Sequence, residues 1–139
     1  MTVAFAILTL LMLCAGVGTL VPTIGKAFWA GKMSGDLTTS PNRVAWGTGT
    51  TDPVAGDTAL QAESSEARAT ATLSRVTTTT TNDTFQAVAT MTATGTRAIT
   101  EVGLLDAASG GNLILRATHL AVNVVSGDEI TYTIKTQLT

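Results

Sequence analysis

FQAVATMTAT, residues 85–94, is the stretch on which the fold turns. Phe85, Ala87, Ala89, Met91 and Ala93 alternate with Gln86, Thr90, Thr92 and Thr94. Successive side chains of a strand point to opposite faces, so this period of two predicts a half-buried strand. Upstream, Ala69, Ala71 and Leu73 alternate with Thr70, Thr72 and Ser74, which makes Arg68 to Thr80 a strand joined to the first through the Asn82-Asp83 turn. Downstream, Ala98 to Leu105 is a strand closed by Ser109-Gly110-Gly111-Asn112, and Leu113 to Leu120 returns as its hairpin partner. After Ser126-Gly127-Asp128 a last strand sets Ile130, Tyr132 and Ile134 against Thr131, Thr133 and Lys135. Arg43 to Trp46 adds a short strand that runs into the turn Gly47 to Pro53, and Thr58 to Glu66 reads as a helical turn or an irregular crossover. Short strands, frequent turns and no βαβ alternation predict a mainly β fold, an antiparallel β-sandwich or barrel over residues 43–139.

Composition supports that reading. Threonine makes up about a fifth of the chain, and its branched Cβ suits a pleated surface. Charged residues are only 13 % and aromatic residues 4 % of the chain, and the net charge is −2. No basic stripe is present, so no direct nucleic-acid contact is expected. A surface so poor in charge suits a rigid module that packs against neighbours.

The first 42 residues are of a different kind. Residues 3–21, VAFAILTLLMLCAGVGTLV, form an apolar run without charge, followed by Pro22. Four readings stay open: a helix or arm buried against other subunits, a membrane anchor, a secretory signal, and a pilin-type packing helix. As a helix the run would just cross a bilayer. With Lys26 and Lys32 after it, an anchor would leave the β domain in the cytoplasm. No Lys or Arg precedes the run, as a signal peptide would require. Membrane contact is expected only if residues 3–21 are such an anchor. Ile24, Phe28, Trp29 and Met33 lie at the spacing of a short amphipathic helix that ends at Ser34-Gly35. Phe5, Leu8, Leu11, Met12, Phe28 and Trp29 are therefore the candidate partner contacts of an apolar N-terminal arm.

Candidate chemistry is sparse. The Gly47-Thr48-Gly49 turn lacks the Lys-Ser/Thr of a phosphate loop and the third glycine of a dinucleotide fingerprint. Asp52, Asp57, Glu63 and Glu66 lack the alternation of a calcium loop. Cys14 and His119 each stand alone, with no second soft ligand for a metal. Glu101 interrupts an apolar strand, and a buried carboxylate there calls for a partner, Arg97 or Arg116. Such a pair would set strand register. No cofactor, metal or catalytic residue is expected, and the chain reads as a non-enzyme. Gly47, Gly49, Glu101, Gly103 and Arg116 are the candidate structural residues.

From Arg43 onward the motifs resemble a group of small virion proteins of tailed bacteriophages. The series is a GTGTT-P turn (Gly47 to Pro53), D-T-A-L-x-x-E (Asp57 to Glu63), and I-T-E-x-G-L-x-D-A (Ile99 to Ala107). A Gly-Gly turn with an L-x-R strand follows (Gly110 to Arg116), then V-x-x-G-D (Val124 to Asp128) before a Thr-rich strand. The resemblance covers about 95 residues. It implies a β-sandwich made in the host cytoplasm that ends in the virion. The first expectation is a capsid cement or decoration protein on the capsid surface, a homotrimer bridging copies of the major capsid protein. A tail, baseplate or fibre component is the alternative within phage biology, and a membrane-anchored or pilus-like surface protein the alternative outside it. The resembling proteins begin with a short polar helix, where this chain has an apolar extension.

Overall fold

A computed structural model describes residues 5–10 and 19–137. Among these described residues, nine strands and one helix follow in order. They are β1 (Phe5–Leu10), β2 (Thr19–Leu20), α1 (Thr23–Ser34), β3 (Arg43–Gly47), β4 (Ala69–Thr70), β5 (Thr72–Val76), β6 (Thr84–Thr92), β7 (Arg97–Leu105), β8 (Leu113–Val124) and β9 (Glu129–Gln137). They form two sheets, β1-β9-β6-β5 and β2-β8-β7-β3-β4. All pairings are antiparallel except β1 with β9. The predicted antiparallel sandwich is what the chain forms.

The alternation in residues 85–94 does its work inside β6. Ala87, Ala89, Met91 and Ala93 are buried, and Thr90 and Thr92 face out. Strand β9 supplies Ile130, Tyr132 and Ile134 to the same core, each fully buried. The second sheet faces them with Val44, Trp46, Ile99, Val102, Leu104, Ile114, Leu115 and Ala117. Small alanines on β6 lie beside the large side chains of β9 and face those of β3 and β7, a size alternation that lets the two layers interlock at interior density. On the outer face of the first sheet, Thr90 and Thr131 share a hydroxyl hydrogen bond of 2.7 Å between in-register neighbours.

The turns follow their residues. Gly110 and Gly111 have φ of 60° and 73°, so the β7–β8 hairpin needs two left-handed positions in a row, which glycine alone adopts without strain. Asp106 closes that turn by accepting hydrogen bonds from the Asn112 backbone amide at 2.6 Å and side-chain amide at 2.9 Å. In the β5–β6 turn, Asp83 accepts from the amides of Thr78, Thr79 and Thr80, and Asn82 takes φ of 60°. The hydrogen bonds from the Thr80, Thr78 and Thr79 amides hold the Asp83 carboxyl well below the usual range against the opposing effect of burial.

Helix α1 matches the predicted amphipathic segment. It ends where Gly35, at φ 83°, lets the amide of Asp36 reach back to the carbonyl of Gly31 at 3.0 Å. Gly25 lets the helix lie directly on β8, because a Cβ there would collide with the carbonyl oxygen of Ile114.

The apolar run departs from a helical reading. Phe5–Leu10 is a strand in parallel register with β9, from Phe5 beside Glu129 to Leu10 beside Ile134. Thr19–Leu20 is a second strand, opposite Ala117 and Arg116. A helix across residues 3–21, whether anchor, pilin or buried, could not make these pairings. The physical reason is that a sheet edge offers a row of unpaired amides and carbonyls, and an apolar segment with β-branched and aromatic residues satisfies them as a strand. Residues 11–18 lie outside the described residues, and with them Leu11, Met12 and Cys14. Among the described residues no helix is long and apolar enough to cross a membrane.

Candidate functional site

The sheet β2-β8-β7-β3-β4 is covered on both faces. Its inner face meets the other sheet, and its outer face carries the crossover between β3 and β4, residues 48–68. Two bulges on the β7–β8 ladder, between Ile99 and Glu101 and between Leu104 and Leu105, set which residues point outward. Ala45, Leu105 and Leu113 form a small second core there with Leu60 of the crossover, and Ile24 packs against it.

Glu101 sits beneath this crossover, fully buried. Its Oε1 accepts hydrogen bonds from the amides of Gly49 at 3.2 Å and Ala62 at 2.7 Å. Its Oε2 accepts from the amide of Gln61 at 3.1 Å and from Arg116 Nε at 2.9 Å. Arg116, 2 % exposed, also donates through Nη1 to Asp57 at 2.9 Å and through Nη2 to the Thr51 carbonyl at 3.0 Å. Burial alone would lower the Arg116 pKa. The hydrogen bonds and charges of Glu101 and Asp57 outweigh it and raise the pKa above its ordinary value. The side chain of Gln61 continues the clasp by accepting from the amides of Thr50 and Thr51.

The glycines explain why the loop can come so close. A Cβ on Gly49 would stand 2.5 Å from Glu101 Oε1, and one on Gly103 would stand 2.8 Å from Leu60 Cδ2. One on Gly47 would strike the carbonyl oxygen of Ala62 and lie 2.6 Å from Glu101 Oε1. The five candidate structural residues thus come together in one place. So do four of the five sequence motifs, since Gly47 to Pro53, Asp57 to Glu63, Ile99 to Ala107 and Gly110 to Arg116 all contribute to this clasp.

A second charged cluster closes the end of the crossover. Glu66, whose side chain is 4 % exposed, accepts hydrogen bonds from Arg97 Nε, the Thr94 amide and hydroxyl, and Trp46 Nε1. Burial would raise its pKa, but the bonds from Thr94, its own amide and Trp46 prevail and lower it from 4.5 to about 2. Arg97 therefore serves Glu66, and Glu101 is left to Arg116. Arg68 pairs bidentately with Glu63 at 2.7 and 2.9 Å, and holds the carbonyls of Ala107 and Gly110 in the β7–β8 turn. The sequence groups Glu66 only with Asp52, Asp57 and Glu63 as clustered acids, and the one signal for its structural role is the need of a buried Trp46 for an acceptor.

The low folded pKa of Glu66 has a consequence for acid stability. A carboxyl held below its unfolded value stabilises the fold above the unfolded pKa, 4.5, and that contribution is lost as pH falls through about 2. Unfolding free energy measured from pH 6 down to pH 2 should therefore fall less steeply in Glu66→Gln than in the parent chain. Equal slopes would show that the Glu66 carboxyl titrates alike in the folded and the unfolded chain.

The candidate partner contacts divide. Phe5 and Leu8 lie in β1, in register with Glu129 and Tyr132. Phe28 is 2 % exposed and belongs to the chain's own core, so it is corrected from a partner contact to a core residue. Trp29 packs edge-on against Phe85, with ring centroids 5.2 Å apart. With Lys32, the exposed Met33, Phe85 and Thr136 it lines an apolar hollow of about 230 Å³. His119 Nε2 stands 3.2 Å from the hydroxyl of the buried Tyr132. Among the described residues no three metal-ligating side chains converge.

The polar residues brought together here take up one another's hydrogen-bonding capacity and hold a loop on a sheet. Fold and clasp together define a structural β-sandwich module. The family model described as Podophage GP4 fiber I protein gp80 matches residues 28–138, and the chain belongs to that family. It is a structural protein of the phage virion, as its motif series implied. The curated proteins and the solved structures contain no match to it.

Proposed function

We propose that this chain is a non-enzymatic subunit of a fibre on a tailed phage particle, assembled from copies of itself. The observation that supports the reading most is the family match, which spans all five sequence motifs and most of the β-sandwich. The family's description favours the fibre alternative over the capsid cement that the motif series suggested first. The clasp fits such a role. It satisfies every buried charge of the crossover within the module, so a mechanically loaded surface loop keeps one conformation. The sparse charge and Thr-lined outer face leave little electrostatic cost when copies pack together.

Copy number tests the reading. Quantitative mass spectrometry of purified, lipid-free virions should find the chain present in far fewer copies than the major capsid protein. Antibody labelling should place it on projecting fibres. A copy number comparable to the capsid protein would replace the fibre reading with capsid cement bound to that protein. Absence from virions would overturn both.

A further inference from the structure

The two N-terminal strands occupy matching positions. Strand β1 adds to the edge of β9 in one sheet, and β2 adds to the edge of β8 in the other. A short turn joins β8 to β9, so both edges lie on one side of the sandwich. Both added strands fall before residue 28, outside residues 28–138 that match the family model. Those residues by themselves leave the β9 edge unpaired. That edge is demanding, because Ile130, Tyr132 and Ile134 are fully buried and the strand beside them needs its outward amides and carbonyls paired.

We propose that Phe5–Leu10 is exchanged between neighbouring copies, so that the β9 edge of each chain is completed by the first strand of the next. The inference rests on the chain acting in an assembly of its own copies, as in the fibre reading. Two observations favour a second copy as the source of the strand, and the length of the connection permits it. The sequence FAILTL is apolar at five of its six positions, Thr9 excepted, and so on both alternating sets, the pattern of a strand covered on both faces, whereas an edge strand of a solitary sandwich normally alternates. The connection from Leu10 to Thr19 comprises residues 11–18, whose reach of up to about 30 Å is well beyond the roughly 10 Å that separates packed sheets. The same side of the molecule also exposes Leu120 at 91 % and Val125 at 51 %, beyond the stretch of β8 that β2 covers. A neighbour docked on that side would cover these side chains and lie within reach of the strand. Exchange preserves every pairing of the closed chain while linking copies, so only the local concentration of copies is needed to drive it.

The register supplies the test, since Thr9 lies beside Thr133. In full-length protein carrying Cys14→Ser, Thr9→Cys and Thr133→Cys, the purified assembly is bridged with a short bismaleimide and run on a denaturing gel. Exchange predicts a ladder of covalently linked chains, absent when either cysteine is introduced alone. A bridge confined to single chains in protein that is still oligomeric by light scattering would overturn exchange and leave the assembly reading standing. Bridged single chains from protein that is monomeric would overturn both. Absence of any bridge would overturn the exchange, since it would mean that Thr9 does not meet a Thr133 of either chain.

Discussion

Arg116→Met should lower the unfolding free energy by about 3–5 kcal/mol, the range for removing one partner of a buried ion pair. The reason lies in what is left behind. Glu101 is fully buried, and Arg116 is the one cation that touches it among the described residues. Without Arg116 the carboxylate keeps its three backbone amides but loses the charge that compensates it, and Asp57 and the Thr51 carbonyl lose a donor as well. For a chain of this size such a loss shifts the melting temperature by about 10–20 °C. Pairing the change with Glu101→Met should not restore stability. The amides of Gly49, Gln61 and Ala62 would then be orphaned, at about 1–3 kcal/mol for each buried unsatisfied group. Urea unfolding followed by tryptophan fluorescence measures both variants. A loss under about 1 kcal/mol for Arg116→Met would show that the ion pair is not what holds the crossover.

Gly47→Val should cost about 3 kcal/mol, the upper part of the range for forcing atoms into a packed site. The added atoms would strike the carbonyl of Ala62 and the carboxylate of Glu101, neither of which can retreat. The Ala62 carbonyl is held by the amide of Thr48, its own amide is bonded to Glu101, and the next residue, Glu63, bridges back to Gly47. The strain must therefore lift residues 48–66 from the sheet, and limited proteolysis should cut the variant within that loop. Gly56→Ala is the matched control, because nothing lies within 4 Å of a Cβ there. Its stability should stay within about 0.5 kcal/mol of the parent. Resistance of Gly47→Val to proteolysis in the loop would mean that the clasp tolerates a side chain where the geometry leaves no room.

Much of the sandwich was legible because its strands are amphipathic. Strands β6 and β9 alternate so regularly that residues 85–94 and 130–135 could be assigned face by face. The α1 segment was legible from four apolar residues at helical spacing and a glycine stop. Glu101 was conspicuous because it interrupts an apolar strand. The long strand expected over residues 68–80 is shorter. It divides into β4 and β5 at Ala71, whose amide turns aside to the Asn42 carbonyl, and it gives way after Val76 to the Asp83-capped turn.

The sequence by itself determined the β class, the turns, the helix and the identity of the buried carboxylate, since each depends on local chemistry and on periodicity within one element. The tertiary structure alone decided three things. It chose Arg116 over Arg97, because the bulges in β7–β8 place Arg116 opposite Gly103, beside Glu101, while Glu66 captures Arg97. It gathered four separate motifs into one clasp on the outer face of a sheet. It also made Phe5–Leu10 a strand, because an unbroken apolar run carries no period of its own and takes its form from the partner it meets, here the open edge of β9.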